Sequence, residues 1–241
     1  MKMAKIESWL DRTLDVSAFD DVSNNGIQIA SKGGDEAKVS RVAFAVDASE
    51  RAVKAAAAVG AQLLVVHHGV SWGGGMKRIV GGVYGVVRAA MDADLALYAC
   101  HLPLDAHSRL GNNAQLARLL ELAKVRPAFS YHSNVIGLVG ESRISRKVEI
   151  GGKTVDLLRG IKVGVCSGGA GEFAEEAKRL GCGIYVTGEA SWGDMIAAEN
   201  CGMKMVCCGH YETEVFGVRA VAVAMKRALG VETIDLTEEL R

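Results

Sequence analysis

The sequence lacks the features that mark several large classes of protein. Its 28 basic and 28 acidic residues give a formal net charge of zero, whereas a protein that binds nucleic acid broadly presents a basic face. No apolar run approaches the ~20 residues that a helix needs to cross a bilayer. We therefore expect neither a membrane nor a nucleic acid among the partners of this chain.

Cysteine is present, but without the spacing typical of zinc-binding proteins. The 6 cysteines occur singly or as the pair Cys207-Cys208, and none forms a C-x-x-C pair. Several lie inside apolar runs, which is typical of reduced, buried thiols. Residues 1–14 mix charged and apolar side chains, so they predict a short amphipathic helix rather than a signal peptide. Together these features indicate a cytoplasmic protein.

What the chain does contain is a regular alternation of apolar strands and helices. Hydrophobic residues make up 49% and charged residues 23% of the sequence, which is ordinary for a globular protein. Strands are predicted at Arg41–Val46, Gln62–Val66, Leu95–Cys100, Lys162–Cys166, Ile184–Val186 and Met203–Cys208. Helical segments separate them, and one helix is predicted to be capped near Ser49. This alternation predicts the α/β class with largely parallel strands.

The two halves of the sequence resemble each other. The run from Gly60 to His68 aligns with the run from Gly181 to Glu189, and the spacing H-x-x-x-D/E occurs in both halves. We infer two similar α/β lobes related by internal duplication, an N-terminal lobe of residues 1–125 and a C-terminal lobe of residues 126–241. Ligands of α/β sheets gather beyond the carboxyl ends of the strands. The sequence therefore predicts a site at these ends, between the lobes.

Histidines and carboxylates concentrate at the predicted strand ends. Four of the 6 histidines lie there, with two acidic residues four positions beyond two of them: His67, His68, His101, His210, Asp105 and Glu214. Any single one of these histidines is equally well explained as a buried, hydrogen-bonded side chain, but the group together favours metal binding. Adjacent strand residues point in different directions, so His67 and His68 suit two ions better than one. Imidazole and carboxylate ligands suit zinc, iron or manganese.

Several motifs carry a resemblance to a known family. They are His67-His68-Gly69 with Ser71-Trp72, the segment His101–Asp105, the segment Gly209–Glu214, Asn25-Gly26-Ile27-Gln28 and Thr187-Gly188-Glu189. In this order they resemble the GTP cyclohydrolase I type 2 homologues, also called Nif-three-like proteins, along nearly the whole chain. The resemblance implies a dinuclear metal centre in a two-lobed α/β subunit. It also implies a toroidal homohexamer whose metal sites face an internal cavity.

The resemblance further implies the roles of individual residues. The family's metal ligands fall on five positions, which would hold two divalent transition-metal ions per subunit: His67, His68, Asp105, His210 and Glu214. Glu214 would bridge the two ions. His101 and Glu189 are the candidate catalytic proton carriers, although each could equally orient a metal ligand.

The function expected from these residues is metal-dependent hydrolysis of a small polar or nucleotide-like molecule through metal-bound water. No serine or cysteine nucleophile competes, because Cys100 is expected to point away from His101. Lys77 and Arg78 could meet a phosphate or belong to a solvated loop. One alternative is a non-catalytic metal-binding scaffold or regulatory hexamer. Another is nucleotide-cofactor binding by the G-x-G-x-x-A turn at residues 169–174, with Glu189 as the acidic partner.

Overall fold

The computed structural model describes residues 1–241 and divides the chain into two units. The first unit comprises Met1–Leu104 and Val218–Arg241, and the second comprises Asp105–Gly217. These limits differ from the predicted division at residue 125. The reason is a four-residue strand close to the C-terminus, Glu232–Asp235, which pairs with Arg41–Asp47 and so returns the chain to the first unit.

The first unit is a five-stranded sheet with helices. Its elements are α1 (Met3–Leu14), β1 (Gly26–Ile29), β2 (Arg41–Asp47), α2 (Glu50–Ala58), β3 (Leu63–His68), α3 (Gly81–Asp92), β4 (Ala96–Ala99) and β12 (Glu232–Asp235). The strand order is β1-β4-β3-β2-β12. Strands β12, β2, β3 and β4 are parallel, and β1 pairs with β4 in the antiparallel direction.

The central strands of this sheet are apolar along nearly their whole length. Residues 42–46 of β2 and residues 63–67 of β3 are all buried, as expected for parallel strands covered on both faces. Helix α2 begins where predicted, because the Ser49 side chain accepts a hydrogen bond from the backbone N–H of Ala52. The apolar run of β3 ends in His67 and His68, so the sheet itself delivers these two side chains to its carboxyl edge.

The second unit has its own five-stranded sheet. Its elements are α5 (Asn112–Leu119), β5 (Leu122–Tyr131), β6 (Asn134–Ser142), β7 (Arg146–Ile150), β8 (Lys153–Leu157), β9 (Lys162–Gly169), α6 (Ala174–Arg179), β10 (Ile184–Glu189), α7 (Trp192–Asn200) and β11 (Met205–Cys207). The order is β11-β10-β9-β6-β5, with β7 and β8 forming a separate hairpin. Strands β9, β10 and β11 are parallel, whereas β5 and β6 are antiparallel.

Three segments of the second unit differ from the sequence expectation. Pro127, predicted to break the chain, lies within β5, which is an edge strand of the sheet, where the missing N–H of proline is tolerated. The basic segment 143–147 leads into the β7–β8 hairpin. The helix predicted from Glu172 is a short 3-10 turn, Gly171–Phe173, followed by α6. The α/β class is confirmed, with more antiparallel pairing in this unit than predicted.

Two helices continue through the points where the chain passes from one unit to the other. They are α4 (Leu102–Ala106) and α8 (His210–Leu229). The 20-residue α8 is the longest helix of the structure. None of the helices combines the length and the apolar character that spanning a membrane requires.

Candidate metal centre

Three histidines of the first unit gather at the carboxyl ends of β3 and β4. Each of His67, His68 and His101 offers a ring nitrogen, and these nitrogens all lie within 4.8 Å of one another. The ring centroids are 4.5 Å apart for the adjacent pair and 5.1 Å apart for His67 and His101. His67 is fully buried, whereas the side chains of His68 and His101 are 20% and 18% exposed. The sheet thus brings together imidazoles that are 34 residues apart in the chain.

Hydrogen bonds fix which nitrogen of each imidazole faces the cluster. The Nδ1 atom of His67 lies 2.9 Å from the carbonyl oxygen of Cys100. A carbonyl only accepts hydrogen bonds, so Nδ1 carries the proton and the lone pair of the neutral ring is on Nε2. This is the arrangement that metal-binding histidines adopt in proteins.

The other two histidines of the first unit are held in the same way by carboxylates. His68 Nδ1 lies 2.8 Å from Asp47 Oδ1, and His101 Nδ1 lies 2.9 Å from Asp21 Oδ1. Each carboxylate accepts a hydrogen bond from the Nδ1–H group and so orients the ring. The lone pair of the neutral imidazole is again on Nε2. Neither Asp21 nor Asp47 was assigned a role from the sequence.

Asp21 is the centre of a hydrogen-bond network that positions His101. Its second oxygen accepts from the Asn25 side chain and the Leu102 backbone, both at 2.9 Å, and Asn25 Oδ1 accepts from the His101 backbone N–H. Burial alone would raise the pKa of Asp21, but the hydrogen bond and charge of His101, together with the bonds from Asn25 and Ser23, lower it to about 2. The only sequence signal for this role is the neighbouring Asn-Gly turn.

In the second unit, a buried carboxylate lies between two other donors. Glu214 Oε1 is 3.2 Å from His210 Nε2, and the Glu214 side chain is 3% exposed. Carboxylate oxygens of Glu214 and Asp105 also lie within 4.8 Å of each other. Asp105 is held in turn, because its Oδ1 accepts hydrogen bonds from Asn112 Nδ2 and Ser167 Oγ, both at 2.9 Å.

His210 is held between two carboxylates. Its Nδ1 lies 2.9 Å from Glu189 Oε1, opposite the contact with Glu214. The hydrogen bond to Glu214 raises the pKa of His210, burial lowers it, and the charges of Glu214 and Glu189 raise it further, to about 9. The ring is therefore protonated at neutral pH, and a bound cation would have to replace its Nε2 proton.

The glycine-rich carboxyl end of β9 packs against these donors. Gly168 has φ +67°, and a Cβ atom there would lie 2.4 Å from Glu214 Oε1. A Cβ atom on Gly171 would lie 2.4 Å from Ala190 Cβ. The 3-10 turn and six-residue helix that follow differ from the longer helix of a dinucleotide-binding turn. The glycines thus permit close packing, which favours the structural explanation of this motif over cofactor binding.

The donors of each unit fit a divalent transition metal. Ligand atoms ~2.1 Å from a tetrahedral ion lie about 3.4 Å apart, close to the 3.2 Å between His210 Nε2 and Glu214 Oε1. Imidazole with carboxylate is the donor set of zinc, iron and manganese sites. The six cysteines contribute to none of the candidate groups.

The structure brings together the predicted residues within each unit. His101 joins His67 and His68, so its ring nitrogen is placed as a metal donor would be. Glu189 contacts His210, which fits the orienting role that the sequence left open. The assignment of individual ligands and proton carriers stays a prediction. Lys77 and Arg78 are both exposed.

Comparison with known proteins places the chain among relatives of the same length. Proteins named GTP cyclohydrolase 1 type 2 homolog are similar to it in Deinococcus radiodurans (41% identity, covering 92% of this chain and 88% of that protein) and in Pyrococcus horikoshii (35% identity, covering 97% of each). The solved structure of the protein ybgI, described as of unknown function, matches with a TM-score of 0.85 and 28% identity over 98% of both chains.

A sequence profile of the family described as Duf34/NIF3 (NGG1p interacting factor 3) matches residues 1–239. The match covers nearly the whole chain, and the named relatives support it independently at 35% and 41% identity. The resemblance inferred from the sequence motifs is confirmed, and the chain belongs to the Duf34/NIF3 family.

Proposed function

We propose that the protein is a metal-dependent hydrolase of a small polar or nucleotide-like molecule. The five proposed ligands of its two divalent ions are His67, His68, Asp105, His210 and Glu214. The observation that carries the proposal is the common orientation of four strand-end histidines. Each has its Nδ1 within 2.8–2.9 Å of a carbonyl or carboxylate oxygen, so Nε2 is presented as the metal-binding atom.

The two ions would supply an activated water and would polarise a carbonyl or phosphoryl group of the substrate. The protein's contribution is to hold the donors in place. Asp47 orients His68, and Glu189 orients His210. The side chains of Asn112 and Ser167 each donate a hydrogen bond to Asp105 and so hold it in place. Glu214 is the proposed bridging ligand, since its carboxylate lies close to donors on both sides, His210 and Asp105.

His101 is the proposed proton carrier. Its Nδ1 proton is bound to Asp21, whose low pKa keeps that carboxylate ionised at neutral pH. The ring can therefore accept a proton on Nε2, and the resulting charge is balanced by the ionised Asp21. Its 18% exposed side chain allows proton exchange with solvent. Because His101 lies close to His67 and His68, it could also serve as a sixth metal donor. The metal content of a His101 variant distinguishes this role from that of a proton carrier.

Removal of metal is expected to abolish hydrolysis, and reconstitution is expected to restore it. Protein stripped with a chelator is assayed before and after addition of zinc, iron(II) or manganese(II). The substrate screen begins with GTP, because the relatives are named GTP cyclohydrolase 1 type 2 homolog. The chemistry needs the ions to generate the nucleophile at neutral pH. Activity that survives complete metal removal would contradict the proposal. So would activity lost in Cys100→Ser with metal retained, because the thiolate would then be the nucleophile.

The resemblance also motivates the proposal that the chain forms a homohexamer. Light scattering in native buffer measures the assembly directly, and a monomer at micromolar concentration would contradict it. Protein that binds metal and assembles, yet hydrolyses nothing in a broad screen, would support the alternative function of a non-catalytic scaffold.

A further inference from the structure

Trp72 holds an indole ring beside the histidines of the first unit. Its ring centroid lies 5.2 Å from that of His101, at an interplanar angle of 76°, and 6.1 Å from that of His68. The residue is 37% exposed, so this large apolar ring faces solvent next to polar donors. Aromatic walls beside a few convergent polar groups are typical of small-molecule sites.

The indole is fixed rather than mobile. Its Nε1–H donates to the carbonyl oxygen of Gly69 at 3.0 Å, which sets the orientation of the ring. The backbone of the residue also forms a bridge with Ser23. By contrast, Trp192 is 74% exposed on α7, and its indole N–H has no hydrogen-bond acceptor in the structure. An exposed ring that is held in one orientation loses little conformational entropy when a ligand stacks on it.

The loop that carries Trp72 is held by Gln28. Its side-chain oxygen accepts from the backbone N–H groups of Val70 and Ser71, and its amide nitrogen donates to the carbonyl oxygens of Asn24 and Ser71. Three of these four hydrogen bonds hold Val70 and Ser71, directly before the indole, and the fourth ties Gln28 to Asn24.

Gly69 is required for that arrangement. A Cβ atom there would lie 2.1 Å from Gln28 Oε1 and 2.6 Å from Ala99 Cβ. The loop therefore packs onto Gln28 at a distance that only glycine permits. Gln28 of β1 and Ala99 of β4 thus help to position the indole through Gly69.

We propose that Trp72 is a stacking platform for the substrate, and that the substrate class carries a planar aromatic or heteroaromatic ring next to the group that is hydrolysed. This inference rests on the proposed function. The indole lies 5.2 Å from His101 and 6.1 Å from His68 between ring centroids, so the substituent of a ring stacked on it would reach the proposed metal donors. Trp72 thus selects the substrate by its ring, and the histidines act on the substituent.

The test uses phenylphosphonate and cyclohexylphosphonate, two non-hydrolysable probes that share charge and head group and differ in the aromaticity of the ring. Calorimetric titration of the metal-loaded protein should give about tenfold tighter binding of phenylphosphonate, as expected for stacking on an aromatic side chain. Trp72→Leu should reduce the ratio of the two affinities to about one, and Trp72→Phe should retain part of the preference. Trp192→Leu is the matched control and should leave the ratio unchanged.

Metal content measured on the same samples separates the two proposals. Trp72→Leu should bind as much metal as the unmodified protein, so a lost preference with retained metal reports on stacking alone. Equal affinity of the two probes for the unmodified protein would overturn the inference. A preference that survives in Trp72→Leu, a preference lost in Trp192→Leu, or no binding of phenylphosphonate at millimolar concentration would overturn it as well.

Discussion

Gly168→Ala is expected to lose bound metal, whereas Gly152→Ala is expected to keep it. Both glycines have left-handed backbone angles, φ +67° and +71°, so alanine costs ~1–2 kcal/mol of backbone strain at either position. They differ in their surroundings. A Cβ atom on Gly152 meets nothing within 4 Å, but on Gly168 it would lie 2.4 Å from Glu214 Oε1.

The extra methyl group can be accommodated at Gly168 only if the Glu214 carboxylate moves. That side chain is 3% exposed and lies 3.2 Å from His210 Nε2, so its movement separates the two proposed ligands. Metal content by elemental analysis and unfolding in urea are measured on both variants. If both variants lose a similar amount of stability and only Gly168→Ala loses metal, the result supports Glu214 as a ligand. Equal metal content in the two variants would argue against Glu214 as a ligand.

Glu214→Gln is expected to weaken metal binding more than any other single substitution at the site. Glutamine keeps the shape of the side chain but removes the negative charge, and an amide does not bridge two cations as a carboxylate does. We expect at least ~100-fold weaker binding, at the upper end of the 10–100-fold typical when an orienting group is lost. Glu189→Gln, which changes only the group that orients His210, should have a smaller effect.

The comparison that decides the role of Glu214 is with His101→Asn and Glu175→Gln. His101→Asn, which removes the proposed proton carrier, should keep both metals and lower the rate of hydrolysis by ~10²–10⁴-fold. Glu175 is exposed in the first turn of α6 and serves as the control for loss of one negative charge in the same unit. Equal metal content in Glu214→Gln and His101→Asn would contradict the bridging assignment.

The parts of the structure that sequence reasoning reached are those set by local pattern. The apolar runs of β2 and β3 and the cap at Ser49 follow from residues within a few positions of each other. The histidines were found for the same reason, since they directly follow apolar runs. The family was reached because its motifs occur in order along nearly the whole chain. The internal duplication and the cytoplasmic location stay predictions.

What the sequence did not reveal depends on contacts between distant positions. Asp21 reaches His101 across 80 residues, and no spacing rule connects the two. Strand β12 is four residues long and three of its residues are polar, so only its pairing with β2 identifies it as a strand. Pro127 signals a break by its local chemistry, and only its place on an edge strand makes it acceptable within a sheet.

The pairing of β12 with β2 has a consequence for the order in which the protein can be completed during synthesis. Arg41 and Glu232, which join across this pair, are 191 residues apart. The second unit is contiguous in sequence, so all of it is synthesised before β12. Until then β2 is an edge strand with unpaired backbone groups, the kind of edge that recruits foreign strands. A nascent chain or truncated product ending before Glu232 therefore carries an open sheet edge that the finished protein covers.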